Sequence, residues 1–146
     1  MRSPILAAAL LFAVNCAAAE HLRVTAAPVT VEMSVPRNGA LVLHLDDVRV
    51  PGGESAMLRL FVNTPRPTAK SSTAAAGFLQ DLYLVPSRSA GGNVNAQSFT
   101  IPLPPSAARG ERITITIVPI QADANGEMNA SGRVHVSLKR PYVTGR

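Results

Sequence analysis

The stretch Ala56–Pro65, AMLRLFVNTP, alternates Leu58, Leu60 and Val62 with Met57, Arg59, Phe61 and Asn63. A period of two marks a β-strand with one face turned to a core. Thr64-Pro65 and then Pro67 end the run, because proline has no N–H to give to a ladder. Strand-like runs lie on both sides, so this strand is expected at the centre of a sheet.

Upstream, Ala40–Val50 alternates in the same way, with Leu41, Leu43 and Leu45 on one face and Val42, His44 and Asp46 on the other. Val48 and Val50 shift the register, which predicts a bulge near Asp47. Pro36-Arg37-Asn38-Gly39 and Pro51-Gly52-Gly53 are turn clusters on either side. Further back, Val29, Val31, Met33 and Val35 form a weaker alternating run, so residues 20–38 are expected to be an N-terminal arm or an edge strand.

Downstream, Arg66–Ala76 is small and polar and reads as an exposed, mobile loop. Gly77–Pro86 is a strand. Phe78, Leu82 and Leu84 share a face with Gln80, and Leu79, Tyr83 and Val85 share the other with Asp81. Ser87–Asn95 is a second loop. Ser98–Leu103 is a strand held to an edge or a strand end by Pro102. Pro104–Ala108 suits a helical turn with proline at its start. Glu111–Ile120 is the cleanest strand, with Ile113, Ile115 and Ile117 inward and Thr114 and Thr116 outward. Ala122–Gly126 is a turn, and Arg133–Leu138 closes the sheet through Val134, Val136 and Leu138. These runs predict an all-β domain over residues 39–146. It is a β-sandwich of about seven strands, Ig-like or jelly-roll in type.

Residues 1–19 read as a cleaved signal peptide. Arg2 is followed by the apolar run Ile5–Val14, and Ala17-Ala18-Ala19 offers an A-x-A site before Glu20. The run is too short to span a bilayer. A periplasmic or secreted protein without a stable membrane anchor is the expectation. Cys16, the one cysteine, falls in this segment, so the mature chain would carry no disulfide and no thiolate ligand.

With 146 residues, 47% of them hydrophobic, the chain has enough material for one proper core. Aromatics are 4% and Trp is absent, so that core is aliphatic. The formal charge of +5 is spread along the chain without a long basic run. Nucleic-acid binding needs a concentrated basic face with stacking aromatics, and this pattern lacks both.

His21, His44 and His135 are the candidate metal ligands. The latter two sit on outward positions of strands, where they can meet across a sheet. Cleavage after Ala18 instead of Ala19 would place His21 third in the mature chain, where a free amine, two amides and an imidazole can enclose Cu(II). A blue-copper centre is excluded in the mature chain by the missing cysteine. Asp46 and Asp47 are neighbours, so on a regular strand they point to opposite faces and make a poor acid–base pair. Asp123-Ala124-Asn125-Gly126-Glu127 lacks the spacing of a calcium loop. Asn129-Ala130-Ser131 fits a glycosylation triplet. No G-x-S-x-G, P-loop or H-E-x-x-H occurs, and no convergent polar set is visible. Catalysis and a bound cofactor are not expected.

The order of strands adds one further pointer. Phe61-Val62-Asn63, Gly77-Phe78 and Ile115-Thr116-Ile117-Val118-Pro119 resemble, in type and order, strands of the C-terminal β-sandwich of tyrosinases and plant polyphenol oxidases. The resemblance runs over roughly Ala40–Leu138. In that family the domain is a lid over a dicopper site held by six histidines on helices of a separate domain. This chain has three histidines and no such helices. The resemblance therefore implies a non-catalytic, exported accessory protein that binds or modulates a tyrosinase-like dicopper oxidase. Phe61, Phe78 and Tyr83 are the candidate partner-binding residues. The alternatives are a periplasmic or surface assembly module that grips a protein partner at a sheet edge, and a weak copper-binding protein.

Overall fold

The structure, a computed structural model, describes residues 20–51, 55–84, 96–122, 128–129 and 134–146. Residues 1–19, read above as a signal peptide with Cys16, the expected loop at Ser87–Asn95, the expected turn at Asp123–Glu127 and the part of the glycosylation-type triplet beyond Asn129 lie outside them. In chain order the strands are β1 (His21–Val24), β2 (Val29–Ser34), β3 (Leu41–Val48), β4 (Ala56–Val62), β5 (Phe78–Leu84) and β6 (Gln97–Pro102). After a 3-10 turn at Pro105–Arg109 come β7 (Arg112–Ala122), β8 (Met128–Asn129), β9 (Val136–Lys139) and β10 (Tyr142–Gly145).

As its pattern requires, β4 is central. It pairs antiparallel with β5 on one side and β7 on the other, in a five-stranded sheet ordered β2-β7-β4-β5 with β8 on β7. The second layer is built on β3, which pairs with β6 and β10. Ser137 of β9 also bridges Arg49, just beyond β3, in the register that β10 keeps with β3. So β9 and β10 act as one long partner of β3, interrupted at Arg140-Pro141, and β1 pairs with the far side of β9. The predicted all-β sandwich is the observed architecture. It has ten strands among the described residues instead of about seven, because β1, β8 and β10 are too short to show a hydrophobic period.

The core between the sheets is aliphatic. Leu58 and Leu60 of β4, Leu43 and Leu45 of β3, Ile113, Ile115 and Ile117 of β7, and Val136 and Leu138 of β9 all lie in it, fully or almost fully buried. Each such side chain contributes about 1.5–3 kcal/mol of transfer free energy. Residues 20–38 are two integral strands. β1 completes one sheet, and β2 forms the edge of the other through pairs from Val29–Ile117 to Ser34–Arg112.

Four local expectations are revised. β4 is buried on both faces, not one, since Met57 and Phe61 on its outer side are as enclosed as Leu58 and Leu60. The Arg66–Ala76 segment is exposed at most positions, as expected, but it is a strap of hydrogen-bonded turns instead of an irregular loop. Pro67 is buried, and Thr68–Ser71, Ser72–Ala75 and Ala75–Phe78 close successive backbone turns. In β5 a register shift beside Leu60/Phe61 exchanges two side chains. Phe78 now meets Phe61 on the outer face, and Leu79 packs against the core. The bulge in β3 does fall at Asp47, with φ 53°, but it leaves two residues between the core positions Leu45 and Val48. Both Asp46 and Asp47 are therefore turned out of the core, where regular pleating would have divided them.

Candidate functional site

The outer face of the five-stranded sheet gathers the candidate binding residues. β4 places Met57, Arg59 and Phe61 there; across the ladder stand Tyr83, Asp81 and Phe78 of β5. On the other flank lie Ile120, Val118 and Thr116 of β7. Phe61 and Phe78 meet edge to face with centroids 6.0 Å apart, a favoured aromatic geometry. Phe61 is 0% exposed, so it is a packing residue of a second apolar layer and is not itself an accessible contact. Phe78 is half-buried, and Tyr83 is 64% exposed. Of the three aromatics, Tyr83 alone presents most of its surface.

Arg59 lies within this layer. Its Nε donates to Asp81 Oδ1 at 2.8 Å and its Nη2 to Asp81 Oδ2 at 3.0 Å. Two parallel bonds are the arrangement that suits a planar guanidinium and a carboxylate. Nη1 reaches the Ser71 carbonyl at 3.4 Å, which ties the strap to the sheet. The hydrogen bond that Arg59 donates to Asp81, ahead of the carboxylate's charge, holds the Arg59 pKa above its ordinary value. A segment of small, polar residues is thus tied to the sheet by a donor of the arginine beneath it.

The end of β4 is fastened by Asn63. Its φ of 48° lies in the left-handed region, which Asn tolerates better than most residues. Its backbone N–H donates to the Thr114 carbonyl at 2.9 Å, and its Oδ1 accepts the Thr114 N–H at 3.0 Å. Next to it, Gly77 approaches so closely that a Cβ would overlap the Thr64 hydroxyl and the Val62 carbonyl. These contacts give a physical reason for the Val-Asn and Gly-Phe pieces of the pattern in the sequence.

The histidines are not brought into one site. His21 begins β1 opposite Lys139, with Nε2 3.7 Å from Asp47 Oδ2. His44 lies on β3, stacked on Tyr142 with centroids 4.7 Å apart, and its Nε2 is 2.8 Å from the Thr144 hydroxyl. His135 is exposed and precedes β9, at the opposite end of the β1–β9 pair from His21. Among the described residues no three His, Cys, Asp or Glu side chains come within reach of one metal ion.

The outer face of the second layer carries a polar cluster that sequence reading missed. Tyr142 donates its hydroxyl to Asp46 Oδ2 at 3.1 Å, and this bond, with burial and the carboxylate charge adding to it, raises the phenol pKa. Asp47 accepts from Arg49 Nε at 2.7 Å, and that bond is the largest cause of its lowered pKa, followed among the lowering causes by the charges of Arg49, Lys139 and His21. The only available signal was the double acid Asp46-Asp47 and the distant basic pair Lys139-Arg140. The β3–β10 register sets Tyr142 opposite His44, within reach of Asp46, and the charge of Lys139 helps to lower the Asp47 pKa.

Taken together, the architecture is that of an all-β sandwich with a strapped outer face. It is similar in fold to a latent aurone synthase, a polyphenol oxidase, from natural source, with a TM-score of 0.60 and 14% identity over 81% of this chain. A recombinantly expressed latent aurone synthase gives a TM-score of 0.57 and 13% identity over 82% of the chain. The chain covers 24% of each of those proteins. The resemblance read from the strand order to the C-terminal sandwich of polyphenol oxidases is thereby shown at the level of fold. No protein-family model matches the chain, and no curated protein matches it.

Proposed function

We propose that the mature chain is an exported, non-catalytic accessory domain that binds a tyrosinase-like dicopper oxidase and modulates it. The observation that carries this reading is the fold likeness to about a quarter of a latent polyphenol oxidase. In this chain that domain is preceded by its own signal-like segment. His21 lies on β1, His44 on β3 and His135 just before β9, so the reading assigns the copper chemistry to the partner. Modulation would act by covering the substrate entrance, with the strap over residues 66–76 and the exposed Tyr83 as the contacting surface. Among the described residues no helix is long and apolar enough to cross a membrane.

The test is a pull-down from the exported fraction of the native host with the tagged mature chain, followed by a phenol-oxidation assay of the recovered material. The expected result is a dicopper oxidase whose activity falls as the chain is added back. Recovery of envelope or pilus components alone, or an oxidase indifferent to the chain, would overturn the reading. Mass spectrometry of the exported chain is expected to find Glu20 as its first residue.

A further inference from the structure

We propose that the open edge of β5 is a strand-addition site that takes an extended, uncharged segment of the protein partner. The inference rests on the accessory-domain reading above and names the surface that would do the binding. Backbone direction supplies the first argument. The Val62 N–H donates to the Gly77 carbonyl, whereas the Asn63 N–H donates to Thr114 on the other side. Neighbouring residues of a strand point their backbone groups to opposite sides. Leu60, Leu58 and Ala56 therefore face β5, and their partners Gln80, Leu82 and Leu84 face back toward β4. The N–H and C=O groups of Asp81 and Tyr83 then point away from the sheet. Among the described residues no strand pairs with them.

The other edges differ in kind. β6 contains Pro102, β1 has four residues, β10 has four behind Pro141, β8 has two, and β2 is bracketed by Pro28 and Pro36 and carries Glu32. Such features blunt an edge against pairing. β5 has seven residues without proline or lysine. Its one charge, on Asp81, is already neutralised by Arg59. A charged side chain arriving beside that pair would find no counter-ion, so the fitting segment is uncharged there. On the core side it would lie beside Leu82 and Leu84; on the outer side an apolar residue would cover Tyr83, the most exposed large hydrophobic side chain among the described residues. Main-chain hydrogen bonds supply affinity in strand addition, and alternate side chains supply specificity.

The experiment compares the mature chain with Tyr83→Pro, Tyr83→Lys and Tyr83→Thr. Two ligands are used: the oxidase recovered in the pull-down, and a fluorescein-labelled peptide of alternating threonine and valine with a lysine at each end. Thermal unfolding verifies that each variant is folded. Proline at an outward N–H of an edge strand is compatible with folding, and Tyr83→Lys provides a second block that keeps the backbone donor. Both ligands are expected to bind Tyr83→Pro at least about tenfold more weakly, the size of one or two lost hydrogen bonds. Tyr83→Lys should weaken binding in the same direction, and Tyr83→Thr, which loses the ring but keeps the backbone donor, should weaken it less than Tyr83→Pro does. Equal binding by wild type and Tyr83→Pro would overturn the proposal. So would a loss in Tyr83→Thr as large as that in Tyr83→Pro, because the ring and not the backbone would then be the contact. A dimer in solution that Tyr83→Pro dissolves, with neither ligand bound, would assign the edge to a second copy and overturn it as well. Oxidase capture unaffected by the variants removes the edge and leaves the accessory role. Peptide binding that follows the variants, without any oxidase capture, does the reverse.

Discussion

Arg59 of β4 and Asp81 of β5 are joined by two parallel hydrogen bonds on the outer face of the five-stranded sheet, with 16% and 17% of their side chains exposed. The same guanidinium holds the Ser71 carbonyl of the strap. One ion pair therefore fixes two neighbouring strands and the segment that crosses them. Arg59→Ala should lower the unfolding free energy by about 2–3 kcal/mol, less than a fully buried broken pair, because some water reaches the site. Denaturant unfolding measures this. The double variant Arg59→Met, Asp81→Leu should recover most of the loss, since it leaves no unpaired charge. Faster amide exchange at Ser71 and its neighbours is expected in Arg59→Ala, and unchanged exchange there would refute the tie to the strap.

Phe61 and Tyr83 lie on the same face but have opposite roles. Phe61→Ala empties a fully enclosed position and should destabilise by about 3–5 kcal/mol. Tyr83→Ala removes an exposed side chain and should stay within about 0.5 kcal/mol. A thermal-melt comparison of the two variants checks the assignment of one to packing and the other to the surface.

Asn63 combines a left-handed backbone with a side-chain acceptor for Thr114. Asn63→Ala loses the bond and strains the backbone, at a cost of about 1–3 kcal/mol. Asn63→Gly loses only the bond and should cost less. Asn63→Asp keeps an acceptor and should cost least. Any other order in chemical denaturation would contradict this account of the residue.

Asp47 should titrate below the ordinary aspartate value of 3.8, because Arg49 bonds its ionised form. A folded-state pKa lower than the unfolded one supports the fold above the unfolded value and loses that support as pH falls through the folded one. The contribution thus disappears only in strong acid. Following the carboxyl carbon by NMR gives the midpoint. Arg49→Ala should move it upward, and an unmoved midpoint would show that Arg49 is not its main cause.

Most of the strands were legible because those that bear the core are long and alternate strictly. The Ile113, Ile115, Ile117 series and the Leu41, Leu43, Leu45 series lie in the core as their periods require. Tyr142–Gly145 was missed because four residues, YVTG, show no period. It becomes a strand by joining β9 along β3 in a register that no local signal encodes. The tie of the strap to the sheet was not legible, because local composition reports how polar a segment is and the donor that reaches it is twelve residues away on Arg59.

From the sequence alone come the sandwich class, the central strand, the edge character of the Pro102 strand and the bulge near Asp47. Each depends on a short-range rule: side-chain alternation, the missing N–H of proline, or a shifted apolar period. Tertiary structure alone decided that both faces of β4 are enclosed, that Phe61 is packing and Tyr83 is surface, and that Asp46 and Asp47 both turn outward toward Tyr142 and Arg49. A period of two reports which residues share a face. What covers each face depends on chain segments far apart in sequence, and only the folded register brings them together.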